Sequence, residues 1–402
     1  PEPQHLKEEM ERLKVHTMIS VWPNMNCGGR DHQEFAKAGQ LLFDYSTYDA
    51  FDPSARKRYF EQAAELEQCF DGWGCDNTEP FTAPDWCGEV KLKEEERYRL
   101  VGGEHEKYLG PDRANLYALA HAKGFWENQT HKPVVNLTRS GWAGIQKYGA
   151  ILWAGDTSAT WQELKREIAK GINVGLSGIP YWTVDAGAFF VGGTSCWKKW
   201  KGDEKADPVW FWAGDYDDGV GDLGYQELCT RWLQFACFLP IFRSHGTDTP
   251  REIWNFAEPF RSAIENTIRL RYQLMPYILN MAKRVHEEHF TIMRSLMFDF
   301  SEDPEVQTID DAFMFGEDIL VCPVLEPILY HRNSQSIASP AQTRRCYLPM
   351  GTKWRDFWTG EVYCGGQWVQ VPISIDHIPV FVREDAQLAL QLRKVACAEE
   401  CV

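Results

Sequence analysis

The stretch Asp71-Gly72-Trp73-Gly74-Cys75-Asp76-Asn77-Thr78-Glu79-Pro80 constrains this chain most. It opens where an amphipathic helical pattern ends, and it closes at a proline. Between them, aromatic, small and apolar residues run straight into Asp76, Asn77 and Glu79. A short buried strand that stops abruptly in carboxylates suits a parallel α/β barrel, whose strand bodies pack in the core while their carboxyl ends carry the chemistry. The same residues also read as a turn after a helix with two solvated acids. A second stretch of the same kind is what separates the two readings.

That second stretch is Gly149-Ala150-Ile151-Leu152-Trp153-Ala154-Gly155-Asp156-Thr157-Ser158, where an apolar run again ends in a lone Asp and a helical pattern follows over residues 160–169. Two carboxyls on different strand ends suit two-carboxylate glycoside hydrolysis, one as nucleophile and one as general acid.

With these residues in place, the chain resembles glycoside hydrolase family 31, the retaining α-glucosidases and α-xylosidases, over nearly its whole length. The family's nucleophile motif, an aromatic run followed by Asp, two residues and Glu, falls on Asp76 with Glu79 as its supporting neighbour. Its Trp-x-Gly-Asp-(Asn/Thr) motif falls on Trp153 to Thr157, which makes Asp156 the general acid/base. The resemblance implies substrate contacts at Arg139 of the Thr-Arg-Ser segment, at Trp153, at Asp185, and at Arg243 and His245 of a Phe-x-Arg-x-His element. It departs at Gly74, where the family has an aromatic or bulky apolar residue, so a wall of the sugar pocket is expected to be missing. Double displacement is implied: Asp76 attacks the anomeric carbon while Asp156 protonates the leaving oxygen, then acts as base towards water. No cofactor is required, and no metal is expected. An α-glycoside or oligosaccharide is the expected substrate.

Composition agrees. With 402 residues the chain can bury one large core and a smaller one. Its formal charge of −16 would be repelled by nucleic acid and by anionic membranes. No apolar run is long enough for a membrane span. The twelve cysteines show neither paired C-x-x-C spacing nor a Cys/His ligand pattern, which argues against zinc and fits a reducing cytoplasm. The polar start, residues 1–14, is unlike a signal peptide, and without an initiating Met the chain is expected to begin inside a longer protein.

Taken in order, residues 2–14 read as a helix with Leu6, Met10 and Leu13 on one face, and residues 15–22 as a buried strand. A loop-rich excursion over 28–52 carries Asp44, Tyr45, Tyr48 and Asp49. Pro53 opens a helix to residue 70 with Asp52 as its N-cap. The charged stretch 91–107 reads as a solvated excursion. A helix at 115–128, strands at 133–138, 151–153 and 179–183, and a long loop at 191–224 follow. A helix at 225–238 then precedes a sixth strand at 241–243, which delivers His245. Alternation of this kind indicates a parallel α/β architecture, a (β/α)8-type TIM barrel over residues 1–288 with about six of its eight strands. In the family the first two strands lie upstream behind a β-domain, so the missing N-terminal part of the same protein is the expected partner. Without it the exposed barrel edges should make the chain poorly soluble and weakly active.

Beyond the helices of 258–288, short apolar runs separated by Gly, Pro and Asp predict an antiparallel β-sandwich over 289–402. Within it, residues 330–343 read as an exposed loop. The acidic loop Asp215-Tyr216-Asp217-Asp218-Gly219 with Asp222 resembles a calcium loop, but its Gly falls one position early and no Glu closes it, so a solvated turn is the better reading. Asn128 and Asn136 head glycosylation sequons, the second in a strand expected to be buried. His121 and His131 have no spaced partner and read as surface residues. The competing functional reading is an inactive, carbohydrate-binding remnant of such an enzyme.

Overall fold

The computed structural model describes residues 3–26, 28–42, 46–65, 69–78, 113, 115–206 and 212–386. Glu79, Asp44, Tyr45 and the charged stretch 91–107 lie outside them. The described chain gathers into two compact units, Pro1–Trp153 and Ala154–Val402.

The first unit contains α1 (Pro3–Arg12), β1 (Met18–Val21), α2 (Arg30–Lys37), α3 (Pro53–Ala64), β2 (Gly72–Cys75), α4 (Leu116–Asn128), β3 (Asn136–Thr138) and β4 (Ala150–Trp153). Strands β1 to β4 lie side by side in chain order, all parallel, with Met18 opposite Gly72, Trp73 opposite Asn136 and Asn136 opposite Ala150. Helix α3 starts as its sequence demands: Pro53 needs no N–H partner, and Asp52 accepts the Ser54 N–H at 2.8 Å. Helices α3 and α4 bring Tyr59, Phe60, Tyr117 and Phe125 into one buried cluster with Trp73 and Cys75 of β2. Burying aromatic rings of ~150–250 Å² each makes this cluster the main apolar anchor of the unit. Successive strand residues alternate in direction. With Trp73 and Cys75 turned to the helices, Gly74 and Asp76 fall on the opposite face.

Three expectations need correction here. Residues 28–52 are not loop throughout, because α2 lies within them and buries Phe35. Strand β1 is not buried: its residues alternate between exposed and half-buried, and Met18 is 44% exposed. Among the described strands it pairs on one side only, with β2, and so has the character of an edge. His121 is fully buried in α4, with Nδ1 2.8 Å from the Tyr48 hydroxyl. Burial pushes its pKa down to about 3, so it is a neutral core residue. No spacing rule marks such a histidine in advance.

The second unit begins with α5 (Trp161–Leu176), capped by Thr160, whose hydroxyl accepts the Glu163 N–H at 3.0 Å. Then come β5 (Trp182–Thr183), α6 (Thr194–Lys201), α7 (Leu223–Ala236), α8 (Phe260–Gln273) and α9 (Met275–Glu288). The expected long loop at 191–224 therefore contains a helix, α6. The expected sixth strand at 241–243 is not formed as a strand. The segment is held by isolated bonds, Ile241 N–H to the Trp182 carbonyl at 3.3 Å and the Thr183 hydroxyl to the Ile241 carbonyl at 2.9 Å. One parallel bridge, Ala186 with Ser244, follows it.

Beyond α9, β6 (Met293–Arg294) and α10 (Leu296–Asp299) lead into β7 (Phe313–Phe315), β8 (Ile319–Val321), β9 (Tyr330–His331), β10 (Gln335–Ser336) and β11 (Thr343–Leu348). The last strands are β12 (Lys353–Asp356), β13 (Val362–Cys364), β14 (Gln367–Pro372) and β15 (Val380–Arg383). An antiparallel sheet of order β13-β12-β15-β8-β7-β6 shares one core with the antiparallel pair β11-β14, through Leu320, Leu348, Trp354, Val371 and Phe381. That is the expected sandwich. The expected exposed loop at 330–343 instead opens with a hairpin, β9-β10.

Candidate active site

Asp76 stands immediately past β2, its N–H bonded to the Val21 carbonyl of β1 at 3.1 Å. Its Oδ1 lies 3.1 Å from Nη1 of Arg139, which follows β3 and is held there by its own N–H on the Cys75 carbonyl. Asp76 Oδ1 also accepts the N–H of Asn77 at 2.7 Å, and Arg139 Nη2 donates to Asn77 Oδ1 at 3.0 Å. Asn77 is buried and sits at φ 53°, a left-handed conformation that Asn tolerates better than most residues. Its amide donates in turn to Asn24. A carboxylate next to a guanidinium and a backbone donor is favoured in its ionised form. Thr78 continues the network with its hydroxyl 2.7 Å from that of Ser140. The strain and the bonds at Asn77 hold the acid, and neither was visible from residue type.

Gly74 is half-buried on the Asp76 face, and a Cβ built there would meet Ser20 Cα at 3.6 Å, an ordinary contact. Its backbone does not require glycine. Trp153, at the end of β4, is only 8% exposed.

In the second unit, Asp156 is half-buried on a loop that turns at Gly155, φ 79°. Asp185 is fully buried and ion-paired with Arg243. Burial, opposed by Arg243 and Arg251 and aided by the charge of nearby Asp156, raises the Asp185 carboxyl to about 7. His245 stacks at a tilt on Phe189, ring centroids 5.6 Å apart. More than a third of His245 is open to solvent, and burial of the rest disfavours its charged form. The guanidiniums of Arg243 and Arg251 act in the same direction, and together these causes lower its pKa to about 4. Asp156, Asp185, Arg243 and His245 thus gather in one neighbourhood.

Arg251 is the organiser that sequence reading missed. Its guanidinium donates to the carbonyls of Ala188, Phe189, Thr247 and Thr249 at 2.7–3.1 Å, tying the Asp185 loop to the His245 loop. The polar run from Arg243 to Arg251 was the only signal for it.

Comparison with known proteins identifies the family. Residues 1–281 match the glycosyl hydrolases family 31 TIM-barrel domain, and residues 289–388 match the glycosyl hydrolase family 31 C-terminal domain. The chain belongs to glycoside hydrolase family 31. An alpha-xylosidase of Saccharolobus solfataricus is 33% identical over 404 residues, covering 100% of this chain and 49% of its own length. Alpha-glucosidase 2 of Bacillus thermoamyloliquefaciens is 31% identical, over 63% of this chain and 27% of its own length. Among solved structures, a family 31 alpha-xylosidase from a soil metagenome, complexed with xylose, superposes with a TM-score of 0.77 at 28% identity, covering 98% of this chain and 56% of that one. The chain therefore spans about half the length of the S. solfataricus relative.

Proposed function

We propose that this chain carries the catalytic machinery of a retaining α-glycoside hydrolase, with α-xylosides as the first substrate class and α-glucosides as the second. The order follows the names of its relatives, an alpha-xylosidase matched over the whole chain and an alpha-glucosidase matched over 63% of it. Residues 1–288 form the catalytic region and 289–402 the supporting sandwich.

The observation that carries the reading is the held carboxyl group at the end of β2: Asp76, with the Arg139 guanidinium at 3.1 Å and the Asn77 N–H at 2.7 Å, is fixed in direction beside a positive charge. In the first step an Asp76 oxygen forms a bond to the anomeric carbon, the glycosidic bond breaks, and Asp156 gives its proton to the leaving oxygen. In the second, Asp156 takes a proton from water, the water oxygen attacks the anomeric carbon, and Asp76 leaves as carboxylate. The half-buried Arg243, paired with the buried Asp185, offers fixed donors and acceptors to sugar hydroxyls. His245 is uncharged near neutrality and so can both accept from and donate to a hydroxyl. No step calls for a cofactor.

The test is the anomer first released from an aryl α-xyloside, read by proton NMR before mutarotation. The α-anomer is expected. The β-anomer first would show inversion and remove Asp76 from the nucleophile role.

A further inference from the structure

The hairpin β9-β10 has no obvious part in the sandwich core, yet it is fastened with unusual thoroughness. Glu227, fully buried on α7, accepts the N–H groups of Ile328, Leu329 and Tyr330 at 2.7, 3.0 and 2.9 Å. Asp222, the N-cap of α7 and also buried, accepts those of Asn333 and Ser334 at 2.6 and 2.9 Å. Gly224 lets the strand approach, since a Cβ there would lie 2.6 Å from the His331 carbonyl oxygen. Two buried carboxylates thus fix five backbone donors of an otherwise exposed ribbon. The acidic loop that resembled a calcium site is used in this way: Asp222 holds the hairpin, Asp217 accepts from Gly193 and Ser195, and Asp215 pairs with Arg332.

The ribbon lines a cleft of about 420 Å³ through His331, Arg332, Asn333 and Gln335, and Trp161, Asp215, Tyr216 and Pro327 complete the lining. That volume lies within the range of small-molecule sites, ~300–1,000 Å³. Trp161 opens α5 and lines the cleft beside the buried Tyr216. Asp215 is carried on the same frame, its N–H bonded to the Ala159 carbonyl at 3.2 Å. The lining therefore offers an aromatic surface together with planar amide, imidazole, guanidinium and carboxylate groups. An anion would meet Asp215, and a cation would meet Arg332, which is already paired with it at 2.9 Å. A neutral, polyhydroxylated ligand suits this lining, with C–H groups against the indole and hydroxyls on the planar polar groups.

The geometry points to a second carbohydrate-binding cleft between Trp161 and the hairpin β9-β10, which takes an extended oligosaccharide. It rests on the hydrolase reading only for its purpose. Trp161 lies on the segment that leads directly from Asp156, and a general acid faces the leaving-group side of the bond it protonates. In that reading, a chain bound there is substrate held on the same compact unit as Asp156.

The test uses the Asp76→Asn protein and equilibrium titrations, followed by intrinsic fluorescence and saturation-transfer NMR, with maltotetraose, a xylose-substituted glucan oligosaccharide and D-xylose. Trp161→Ala and Arg332→Ala should each weaken oligosaccharide affinity about tenfold and leave D-xylose affinity as it was. The Arg332 side chain is 62% exposed, so Arg332→Ala decides alone if Trp161→Ala melts early. Oligosaccharide affinity unchanged in both variants, equal loss for D-xylose, or no oligosaccharide binding at millimolar concentration would each overturn the cleft. Because binding needs no turnover, the two readings separate. Trp161-dependent binding in a protein whose native form hydrolyses nothing refutes the hydrolase and keeps the cleft. Hydrolysis with binding insensitive to both variants refutes only the cleft.

Discussion

At the residue scale the central question is how Asp76 is held. Arg139 is a charged partner, and Asn77 joins the two. Arg139→Met should keep the apolar stem and remove the charge, lowering kcat/KM for an aryl α-glycoside by about a hundredfold. A loss of less than threefold would reduce Arg139 to a structural ion pair. Asp156→Ala should lose far more rate on substrates with poor leaving groups than on activated aryl glycosides, because only the former need the proton. Added azide should restore turnover and yield the α-glycosyl azide. Equal loss on both substrate types without rescue would remove Asp156 from the acid/base role. His245 gives a pH prediction. Its folded pKa lies below the ordinary 6.5, so the folded state binds fewer protons than the unfolded one between about 4 and 6.5. Its contribution to stability is present above 6.5 and is lost as pH falls through about 4. The ring proton shifts of His245 should stay flat between about pH 5.5 and 8, and a midpoint near 6.5 would contradict the lowered value.

At the element scale, what was legible in the sequence was whatever has a local cause. Pro53 behind Asp52 begins a helix for reasons contained in neighbouring residues, and so does Thr160 before Glu163. The apolar runs that end at Asp76 and Asp156 also formed strands. What was hidden has distant causes. The hairpin β9-β10 follows from carboxylates more than a hundred residues upstream on α7. His121 is buried because α4 sits on Tyr48 and Tyr59, which its own neighbours do not announce. The segment before His245 looks like a strand in composition, but it is held by isolated bonds to Trp182 and Thr183. These differences in origin predict different costs. Asp52→Ala should cost about 1 kcal/mol, the ordinary worth of an N-cap. Glu227→Ala leaves three backbone donors unpaired and should cost roughly 3 kcal/mol or more. Chemical denaturation of both variants checks the ranking, and equal losses would contradict the structural weight given to Glu227.

At the scale of the whole molecule, two family domains follow one another along a chain of strongly acidic balance. Among the described residues no helix is long and apolar enough to cross a membrane. The candidate residues come from several separate strand ends and loops, Asp76 and Arg139 in one compact unit and Asp156, Asp185, Arg243 and His245 in the other. Candidate residues spread in this way along a chain are what an α/β barrel permits, since each strand end can contribute one group. The central claim is that Asp76 forms the covalent bond to the sugar. The most direct measurement incubates the protein with a fluorinated α-glycosyl donor that stalls at the glycosyl-enzyme, followed by peptide mass spectrometry. The account predicts one added sugar on the peptide that contains Asp76, and none in Asp76→Asn. A label on Asp156, or steady hydrolysis of the α-glycoside by Asp76→Asn, would contradict it.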